Sequence, residues 1–440
     1  MIQNVTNRKP FICSGCGVCA AICPKNALQM AESAEGGYRP VLTGECINCG
    51  KCLEVCPFVN QVSLAYEAYS SEFPQADQYH PILGHYCGAV LGGVTDEAQR
   101  QRVASGGYLS WFLETLLEAG VIDAAYCPAP TGSAEPLFRY TRCDQPTDIR
   151  NAAGSVYYPV HLAEAVREIQ QKPGRYAITA LPCQARALRA AMAVSPVLHE
   201  RILFVMGLVC GQLKTKHFAE MLMAEAGVPS EHVQRVQFRA KRPDKPSKVH
   251  ESRIVWTSED QEQSTSVPMG KWFMLRSFSL RACNYCFEVF PQAADAVFMD
   301  AWLAPYRDQP EGTSIALLRR PELLEWVDRG VESGELTTLH VSEQDVLLSQ
   351  RSGIIQKYRF NPARTGMDLP PGLKESDIPA PKLPFLVRWF LKEDARRDQL
   401  AEGLWRQCDG TLAGYLAALR RIHRRRWIPL ILAKLFVRRW

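Results

Sequence analysis

The chain has 440 residues, of which 47% are hydrophobic, and this composition predicts two or three globular domains and excludes a disordered protein. Its 16 cysteines would suit a secreted protein with disulfides, but the first ten residues contain no apolar stretch that could serve as a signal peptide. We therefore expect metal-binding cysteines in a cytoplasmic protein. No window approaches the roughly 20 consecutive apolar residues of a transmembrane helix, so the sequence predicts no membrane-spanning segment.

The net charge of +5 is concentrated at one end of the chain. Residues 411–440 contain eight lysines and arginines and no acidic residue, which leaves a net charge of −3 for the remainder. One short basic patch on a slightly acidic body is not the charge pattern of a nucleic-acid-binding protein. We therefore expect no nucleic-acid partner.

A cysteine pattern, C-x2-C-x2-C-x3-C-P, occurs twice within the first 57 residues. This is the pattern of a bacterial two-cluster ferredoxin, in which three cysteines surround one cluster and the fourth points to the other cluster. A zinc site and a disulfide framework are the alternatives, which two identical runs closed by proline disfavour. The pattern predicts one [4Fe-4S] cluster on Cys13, Cys16, Cys19 and Cys56, and a second on Cys46, Cys49, Cys52 and Cys23.

Strands and helices alternate after a polar linker at residues 61–84. Helices of about ten residues between strands imply a predominantly parallel sheet that helices cover on both faces. The predicted strands are 85–94, 121–127, 137–143, 175–181 and 202–210, and the predicted helices are 108–118, 161–170, 184–192 and 215–226.

The alternation ends near residue 233. We predict strands at 233–238, 253–256, 296–299 and 314–318, and a helix at 321–332 that begins with proline. A proline-rich linker follows from residue 362, and a helical, basic extension occupies residues 385–440. The predicted fold class is therefore α/β, with a small α+β ferredoxin-like domain at residues 1–62, a large domain in two parts at 80–170 and 171–360, and the helical extension.

Four further cysteines occupy telling positions in the large domain. Cys183 and Cys210 each follow a predicted strand, and the carboxyl ends of neighbouring parallel strands face one crevice. Cys283 and Cys286 add a chelating pair. These four thiols predict a third [4Fe-4S] cluster, and a structural zinc site is the open alternative. The remaining thiols are isolated and are interpreted as core or surface cysteines: Cys87, Cys127, Cys143 and Cys408.

Ser105, Gly106 and Gly107 lie directly before the helix predicted to begin at Tyr108. A helix start with bare backbone amides and small residues can bind a phosphate group, such as the pyrophosphate of a flavin dinucleotide. A serine N-cap followed by glycines in a tight turn is the alternative interpretation.

Several short motifs occur in the same order in one protein family. Over about residues 80–320 the chain resembles the beta subunit of coenzyme F-420 hydrogenase/dehydrogenase, and longer members of that family carry a preceding ferredoxin. The motifs are Ser105-Gly106-Gly107-Tyr108, Leu181-Pro182-Cys183-Gln184, Gly207-Leu208-Val209-Cys210, Phe238-Arg239-Ala240-Lys241, the Cys283/Cys286 pair and Asp300-Ala301-Trp302.

The resemblance implies an FAD-binding domain with its own [4Fe-4S] cluster, in which FAD exchanges single electrons with clusters and hydride with a second carrier or substrate. In one place the chain departs from the family, because Ser155-Val156-Tyr157 stands where such proteins commonly have Ser-Lys-Tyr. The missing lysine puts the use of the deazaflavin coenzyme in question. The implied cofactor contacts are Ser105, Gly106, Gly107, Tyr108, Ser155, Tyr157, Pro182, Arg239 and Asp300.

We therefore expect an iron–sulfur flavoprotein oxidoreductase that works with a redox partner protein or subunit, and we assign no catalytic acid. The alternatives are a non-catalytic subunit through which electrons enter a larger complex, and a reductase that accompanies polysaccharide biosynthesis. Residues 424–440 enclose a short apolar run between arginine clusters. They predict either peripheral contact with the inner face of the membrane or a helix docked on protein.

Overall fold

The computed structural model describes residues 4–7, 12–59, 69–258, 261–270, 273, 278–385, 387–389, 391–392, 405, 407–408 and 411–423. The basic segment 424–440, and with it the predicted membrane contact, lies outside the described residues. So do residues 61–68 of the predicted linker. Within the described ranges, no helix combines the length and apolar character needed to cross a bilayer.

The N-terminal domain repeats its structure as it repeats its sequence. Each cysteine run contains a short helix preceded by a glycine in the left-handed conformation, Gly17 at φ +83° and Gly50 at φ +78°. A two-stranded antiparallel sheet completes the small α+β domain that the sequence predicts. Its elements are α1 (Val18–Ala21), β1 (Leu28–Glu32), β2 (Tyr38–Leu42) and α2 (Lys51–Glu54).

The large domain is built on an eight-stranded sheet with the order β15-β5-β14-β13-β9-β8-β6-β7. The α/β class is therefore confirmed. The sheet is mixed, however, because only its four central strands run parallel and antiparallel pairs flank them on both sides. The strands beyond the ferredoxin domain are β3 (Gln78–His80), β4 (Gly84–Tyr86), β5 (Gly88–Val94), β6 (Ala124–Pro130), β7 (Phe138–Cys143), β8 (Tyr176–Ala180), β9 (Ile202–Leu208), β10 (Val233–Ala240), β11 (Glu251–Ser258), β12 (Gln261–Pro268), β13 (Ala296–Asp300), β14 (Ser314–Leu318) and β15 (Leu336–His340).

Helices cover both faces of this sheet, as predicted. On one face Phe298 of β13 packs against Phe112, with ring centroids 5.6 Å apart. On the other face Ile178 and Val205 belong to the core that contains the ferredoxin helices. The remaining helices are α3 (Glu97–Arg102), α4 (Tyr108–Glu118), α5 (Pro146–Ala152), α6 (Ala163–Gln171), α7 (Pro182–Val194), α8 (Pro196–Arg201), α9 (Lys216–Ala226), α10 (Pro321–Glu332), α11 (Glu343–Ser349), α12 (Arg351–Ile355), α13 (Asn361–Thr365) and α14 (Leu412–His423).

A separate three-stranded sheet, β10-β11-β12, stands beside the large one. The sequence predicts β10 and β11 but not β12, because β12 is mostly exposed and polar and so lacks the apolar alternation that signals a strand. The C-terminal extension packs onto the body of the protein as far as it is described. Trp405 and Tyr415 contact Phe278 with ring centroids 5.9 and 5.7 Å away.

Hydrogen bonds to backbone carbonyls fasten the ferredoxin domain to the large domain. The N–H of Leu162, just before α6, donates to the carbonyl of Cys16 over 2.8 Å. Arg167 of α6 donates to the carbonyls of Ala20 and Leu28 over 3.0 and 3.1 Å. Because the buried apolar residues of both domains also form one continuous core, the first cysteine loop is held rigidly on the sheet domain.

The two repeat glycines give a matched test of this docking. A Cβ at Gly17 would lie 3.0 Å from the backbone nitrogen of Ala163, whereas a Cβ at Gly50 would meet only a Glu54 oxygen at 4.0 Å. Both alanine variants carry the cost of a left-handed residue, about 1–2 kcal/mol. We expect Gly17→Ala to lose about 1–3 kcal/mol more than Gly50→Ala, because it also overpacks the interface. Thermal unfolding of the anaerobically purified variants measures this difference, and equal melting temperatures would contradict it.

Candidate functional site: three cysteine sets beside a cavity

The four cysteines predicted to hold the first cluster lie together in the structure. Burial raises the pKa of the Cys16 thiol, and the neighbouring thiols of Cys19, Cys13 and Cys56 raise it further. The pKa of Cys19 is raised by burial and by Cys13 and Cys56 in the same way. Metal binding would relieve this penalty, because it takes the proton from each thiol and neutralises the resulting charge.

The second set ranges from the buried Cys52, through the half-buried Cys23 and Cys46, to the exposed Cys49. Cys23, Cys46, Cys49 and Cys52 line one small cavity. Burial raises the pKa of Cys52, and the thiols of Cys49, Cys23 and Cys46 act in the same direction. Cys49 is exposed to solvent, so this set forms the outer end of the ferredoxin domain.

The third set assembles at the carboxyl ends of two parallel strands, as predicted. Cys183 lies in the first turn of α7 after β8, and Cys210 follows β9. Burial raises the pKa of Cys183, and Cys286 and Cys210 raise it further. The N–H of Leu213 points at the sulfur of Cys283 over 3.1 Å.

The first and third sets are neighbours. Cys16 is among the thiols that raise the pKa of Cys183, and Ser14 lies beside the Cys183 thiol. The pKa of Tyr140 is raised by burial first, and then by thiols that include Cys183 and Cys16. Cys52 of the second set also raises the pKa of Cys19 of the first, so the three sets form a series that runs from the second set through the first to the third.

The thiols of a set do not converge on one point. In the described part of the chain, no group of three or more His, Cys, Asp or Glu side chains is close enough to share a single metal ion. A single zinc ion would need all four sulfurs about 2.3 Å from one centre. A cubane carries its four thiolates on separate iron atoms and does not require this convergence.

A cavity of about 250 Å³ adjoins the third set. Leu181 and Gln184, which flank Cys183 along the chain, form part of its wall, and so does Leu213. A second cavity of about 470 Å³ shares Val103, Ser110 and Ala153 with it. The structure thus brings together seven of the nine predicted cofactor contacts on the wall of the first cavity: Ser105, Gly107, Tyr108, Ser155, Tyr157, Arg239 and Asp300.

Gly106 and Pro182 are placed differently. The N–H of Gly106 donates to Ser314 Oγ over 2.8 Å, so this amide is engaged within the protein and is not directed at a phosphate as the sequence suggests. A Cβ at Gly106 would lie 2.4 Å from the carbonyl oxygen of Gly92, which explains why glycine is needed here. Pro182 begins α7 and is buried outside the cavity wall.

The first turn of α4 presents its amino end to the cavity. Gly107 is the N-cap, at φ +95°, and has no side chain with which to cap the helix. Tyr108, Leu109 and Ser110 follow it on the cavity wall. Backbone N–H groups in a first turn have no partner within the helix, and the helix dipole adds positive potential there. This wall can therefore accept an anionic group.

An ion pair lies on the same cavity wall. Arg239 of β10 contacts both carboxylate oxygens of Asp300 at 2.8 and 3.0 Å, and its guanidinium lies 5.4 Å from the ring centroid of Trp302. Burial alone would lower the pKa of Arg239, but the charges and hydrogen bonds of Asp300 and Tyr157 together raise it, so the guanidinium stays charged. Its buried Nε has no hydrogen-bond partner among the described residues. One donor thus remains for a bound molecule.

Sequence reasoning assigns no role to Lys241, although it ends one of the family motifs. Its ammonium group donates to the carbonyl of Ser105 over 2.7 Å and also to the carbonyls of Arg100 and Glu311. Burial lowers the pKa of Lys241 to about 7, and the charges of Arg100 and Arg239 act in the same direction. Lys241 ties the loop before α4 to the loop before β14, a role that no local pattern signals because the acceptors are distant carbonyls.

Comparison with protein-family models identifies three regions of the chain. Residues 89–167 match the N-terminal model, and residues 174–344 the C-terminal model, of the family described as "Coenzyme F420 hydrogenase/dehydrogenase, beta subunit". Together they span more than half of the chain. The chain belongs to this beta subunit family. Residues 12–67 match a 4Fe-4S dicluster domain, so the resemblance and the ferredoxin prediction are both confirmed.

Individual relatives of this beta subunit family are distant. One subunit of the F(420)H(2) dehydrogenase of Methanosarcina mazei is 25% identical over 207 residues, which cover 45% of this chain and 53% of that protein. The coenzyme F420-dependent sulfite reductase of Methanocaldococcus jannaschii is 23% identical over 254 residues, 52% of this chain and 35% of that protein. The match thus covers about half of the length of the dehydrogenase subunit and about a third of the length of the sulfite reductase.

The solved structures that are similar to this chain include a chain of the xenon-derivatized F420-reducing [NiFe] hydrogenase complex from Methanosarcina barkeri. It has 18% sequence identity and a TM-score of 0.45, and the match covers 74% of this chain and 95% of that chain.

Removing the Lys241 ammonium should loosen the loop before α4. Lys241→Met leaves three carbonyls without their donor. Water can replace the donor at the exposed Glu311 carbonyl, whereas the part-buried carbonyls of Arg100 and Ser105 approach the cost of a buried unsatisfied group, about 1–3 kcal/mol. We therefore expect amide hydrogen exchange at Gly106 and Gly107 to quicken by about fivefold to a hundredfold. Lys248→Met is the control, because Lys248 is half exposed and its ion pair with Asp308 lies at the surface. Unchanged exchange in Lys241→Met would show that the loop is held by other contacts.

Proposed function

We propose that the protein is an iron–sulfur flavoprotein oxidoreductase that transfers electrons between [4Fe-4S] clusters and a hydride carrier or small-molecule substrate through FAD. The observation that carries this proposal is the wall shared by the cavity and the third cysteine set. Leu181 and Gln184 line the cavity on either side of Cys183. A redox cofactor in the cavity would therefore lie next to a metal cluster.

The order of the cysteine sets supports transfer of electrons along the chain. The exposed Cys49 offers contact with a redox partner protein. The contact of Cys16 with Cys183 joins the ferredoxin to the large domain. The cavity lies beyond Cys183. When bound, the clusters carry single electrons and FAD couples them to hydride transfer. The protein supplies the positions of these groups and the polarity of their surroundings.

The chemistry of the cavity wall suits a flavin dinucleotide. The amino end of α4, which no side chain of the described residues caps, offers amides for a pyrophosphate, and Arg239 offers a buried Nε–H that has no acceptor within the described part of the chain. Apolar and aromatic side chains, among them Tyr157 and Leu113, form much of the remaining wall and can contact a flat ring. The two adjoining cavities give room for the two halves of a dinucleotide.

The relatives' names suggest the class of hydride carrier. Both curated relatives are named for coenzyme F420, a deazaflavin, which makes such a coenzyme the first candidate. The chain lacks the lysine expected between Ser155 and Tyr157, and both of these residues line the cavity. A small-molecule substrate is therefore the second candidate, and the test is whether anaerobic enzyme oxidises or reduces the deazaflavin coenzyme.

Iron analysis tests the three cysteine sets. Twelve cysteines in three sets of four predict about twelve iron atoms per chain after anaerobic reconstitution. Cys183→Ser or Cys286→Ser should remove about four of them and leave the ferredoxin signal in electron paramagnetic resonance intact. Zinc in place of this iron would instead identify the third set as a structural zinc site.

A substitution in the first turn of α4 tests the flavin site. Ser110→Asp adds a negative charge where the pyrophosphate would lie, and it should lower FAD affinity roughly tenfold or more, a loss of about 1.4 kcal/mol. An acid in a first turn does not destabilise the helix, so the fold should persist. Ser110→Asn has nearly the same shape without the charge and is the matched control. FAD fluorescence titration measures both affinities.

Equal FAD affinities in the two Ser110 variants would show that the phosphate lies elsewhere. If the unaltered protein binds no FAD at all while holding its iron, the flavoprotein proposal fails. The protein would then be better described as a subunit through which electrons enter a larger complex.

A further inference from the structure

We propose that Lys357 sets the reduction potential of the third cluster by holding a buried positive charge against its four thiolate ligands. This inference rests on the proposed function, since it requires a [4Fe-4S] cluster on Cys183, Cys210, Cys283 and Cys286. It adds a residue, distant in sequence from all four ligands, that governs how readily this cluster accepts an electron.

The backbone around Lys357 departs from a regular helix. Residues Gln356–Phe360 form a π-helical turn between α12 and α13. Such turns are rare, and they occur frequently at functional sites. Lys357 lies in this turn with only 1% of its surface exposed. The middle of this turn lies in the interior, because Tyr358 and Arg359 are buried beside Lys357.

A second contact fixes this segment on the cysteine loop. The side-chain amide of Asn361 donates to the carbonyls of Cys283 and Cys286 over 2.8 and 2.9 Å. Asn361 is completely buried and begins α13, four residues after Lys357. The position of the ammonium group relative to the chelating pair is therefore determined by hydrogen bonds within the protein.

The charge of Lys357 is directed at thiols. The groups that act on it most strongly are Cys286, beside its ammonium, then Cys210 and Cys283. A buried ammonium group is strongly unfavourable unless negative charge compensates it. Glu288 lies in the same interior region. Burial raises the pKa of its carboxyl, and the charge of Arg186 is the strongest influence in the opposite direction. The carboxyl also accepts the N–H of Gln292 over 2.8 Å. The thiolate set is thus the principal counter-charge of Lys357.

A buried cation of this kind favours the reduced cluster. A cluster with four thiolates is anionic, and one-electron reduction adds a further negative charge, which a nearby ammonium stabilises. The first set differs, because the cation that acts on Cys13 is Arg39, whose side chain is 37% exposed and paired with Glu35. Water screens that charge, whereas Lys357 acts through the protein interior. The third cluster should therefore be reduced more readily than it would be without Lys357.

The experiment is a redox titration of the full-length, anaerobically reconstituted protein, followed by electron paramagnetic resonance. In Lys357→Met the equilibrium constant for reducing the third cluster should fall at least tenfold, which is about 59 mV for one electron. The signals of the two ferredoxin clusters should keep their midpoints in the same sample. Lys357→Arg retains the charge and should stay close to the unaltered protein. Tyr358→Phe disturbs the same turn without a change in charge and should show no shift.

Two results would overturn the inference. One is a Lys357→Met protein with full iron content and an unshifted third cluster. The other is loss of about four irons from both Lys357→Met and Lys357→Arg, which would assign the residue a packing role. Loss of iron from Lys357→Met alone supports the inference, because the arginine variant restores the cluster through its charge.

Failure of the proposed function would look different from failure of this inference. If the unaltered protein holds about eight iron atoms, or zinc in the third set, then the third [4Fe-4S] cluster itself does not exist. If the unaltered protein holds about twelve iron atoms and the potential of the third cluster is unshifted in Lys357→Met, only the role of Lys357 is contradicted.

Discussion

The contact between the Cys16–Gly17 turn and the start of α6 is the constraint on which the rest of the arrangement depends. A backbone hydrogen bond from Leu162 to Cys16 fixes the first cysteine loop, and the absence of a side chain at Gly17 allows it to approach Ala163 closely. Cys16 thereby becomes a neighbour of Cys183. Backbone contacts and a shared core thus determine the separation of the first and third sets.

The large domain places its chemistry where its strands end. Cys183 and Cys210 follow the parallel strands β8 and β9, and Asp300 ends β13 at the same edge of the sheet. The antiparallel neighbour β14 begins at this edge, so its first residue, Ser314, lies opposite Asp300 and also accepts the amide of Gly106. A mixed sheet therefore gathers the third cysteine set, the ion pair and the loop before α4 around one cavity.

Spacing and position along strands suffice to predict much of this arrangement. Cysteines two or three residues apart are informative because a short loop can bring them around one cluster, and Cys183 and Cys210 are informative because each follows a buried strand. The antiparallel edges are harder to predict, since the connection from β13, which ends at Asp300, to β14, which begins at Ser314, carries no sequence signal as strong as a crossover helix. Lys241 and Lys357 cannot be predicted from local pattern at all, because their partners come from distant segments and a lone lysine ordinarily indicates a solvated surface.

The exposure of Cys49 also affects how the protein is oxidised when a sample is handled in air. An opening that admits a redox partner also admits dissolved oxygen, and solvent-accessible thiolates are the ones most susceptible to oxidation. Cys283 of the third set is buried and the other three cysteines of that set are half-buried, so oxidants in solution reach the exposed Cys49 more readily. Damage would thus begin at the end where the proposed redox partner would bind, and an aerobically handled sample would lose that contact before it lost the third set.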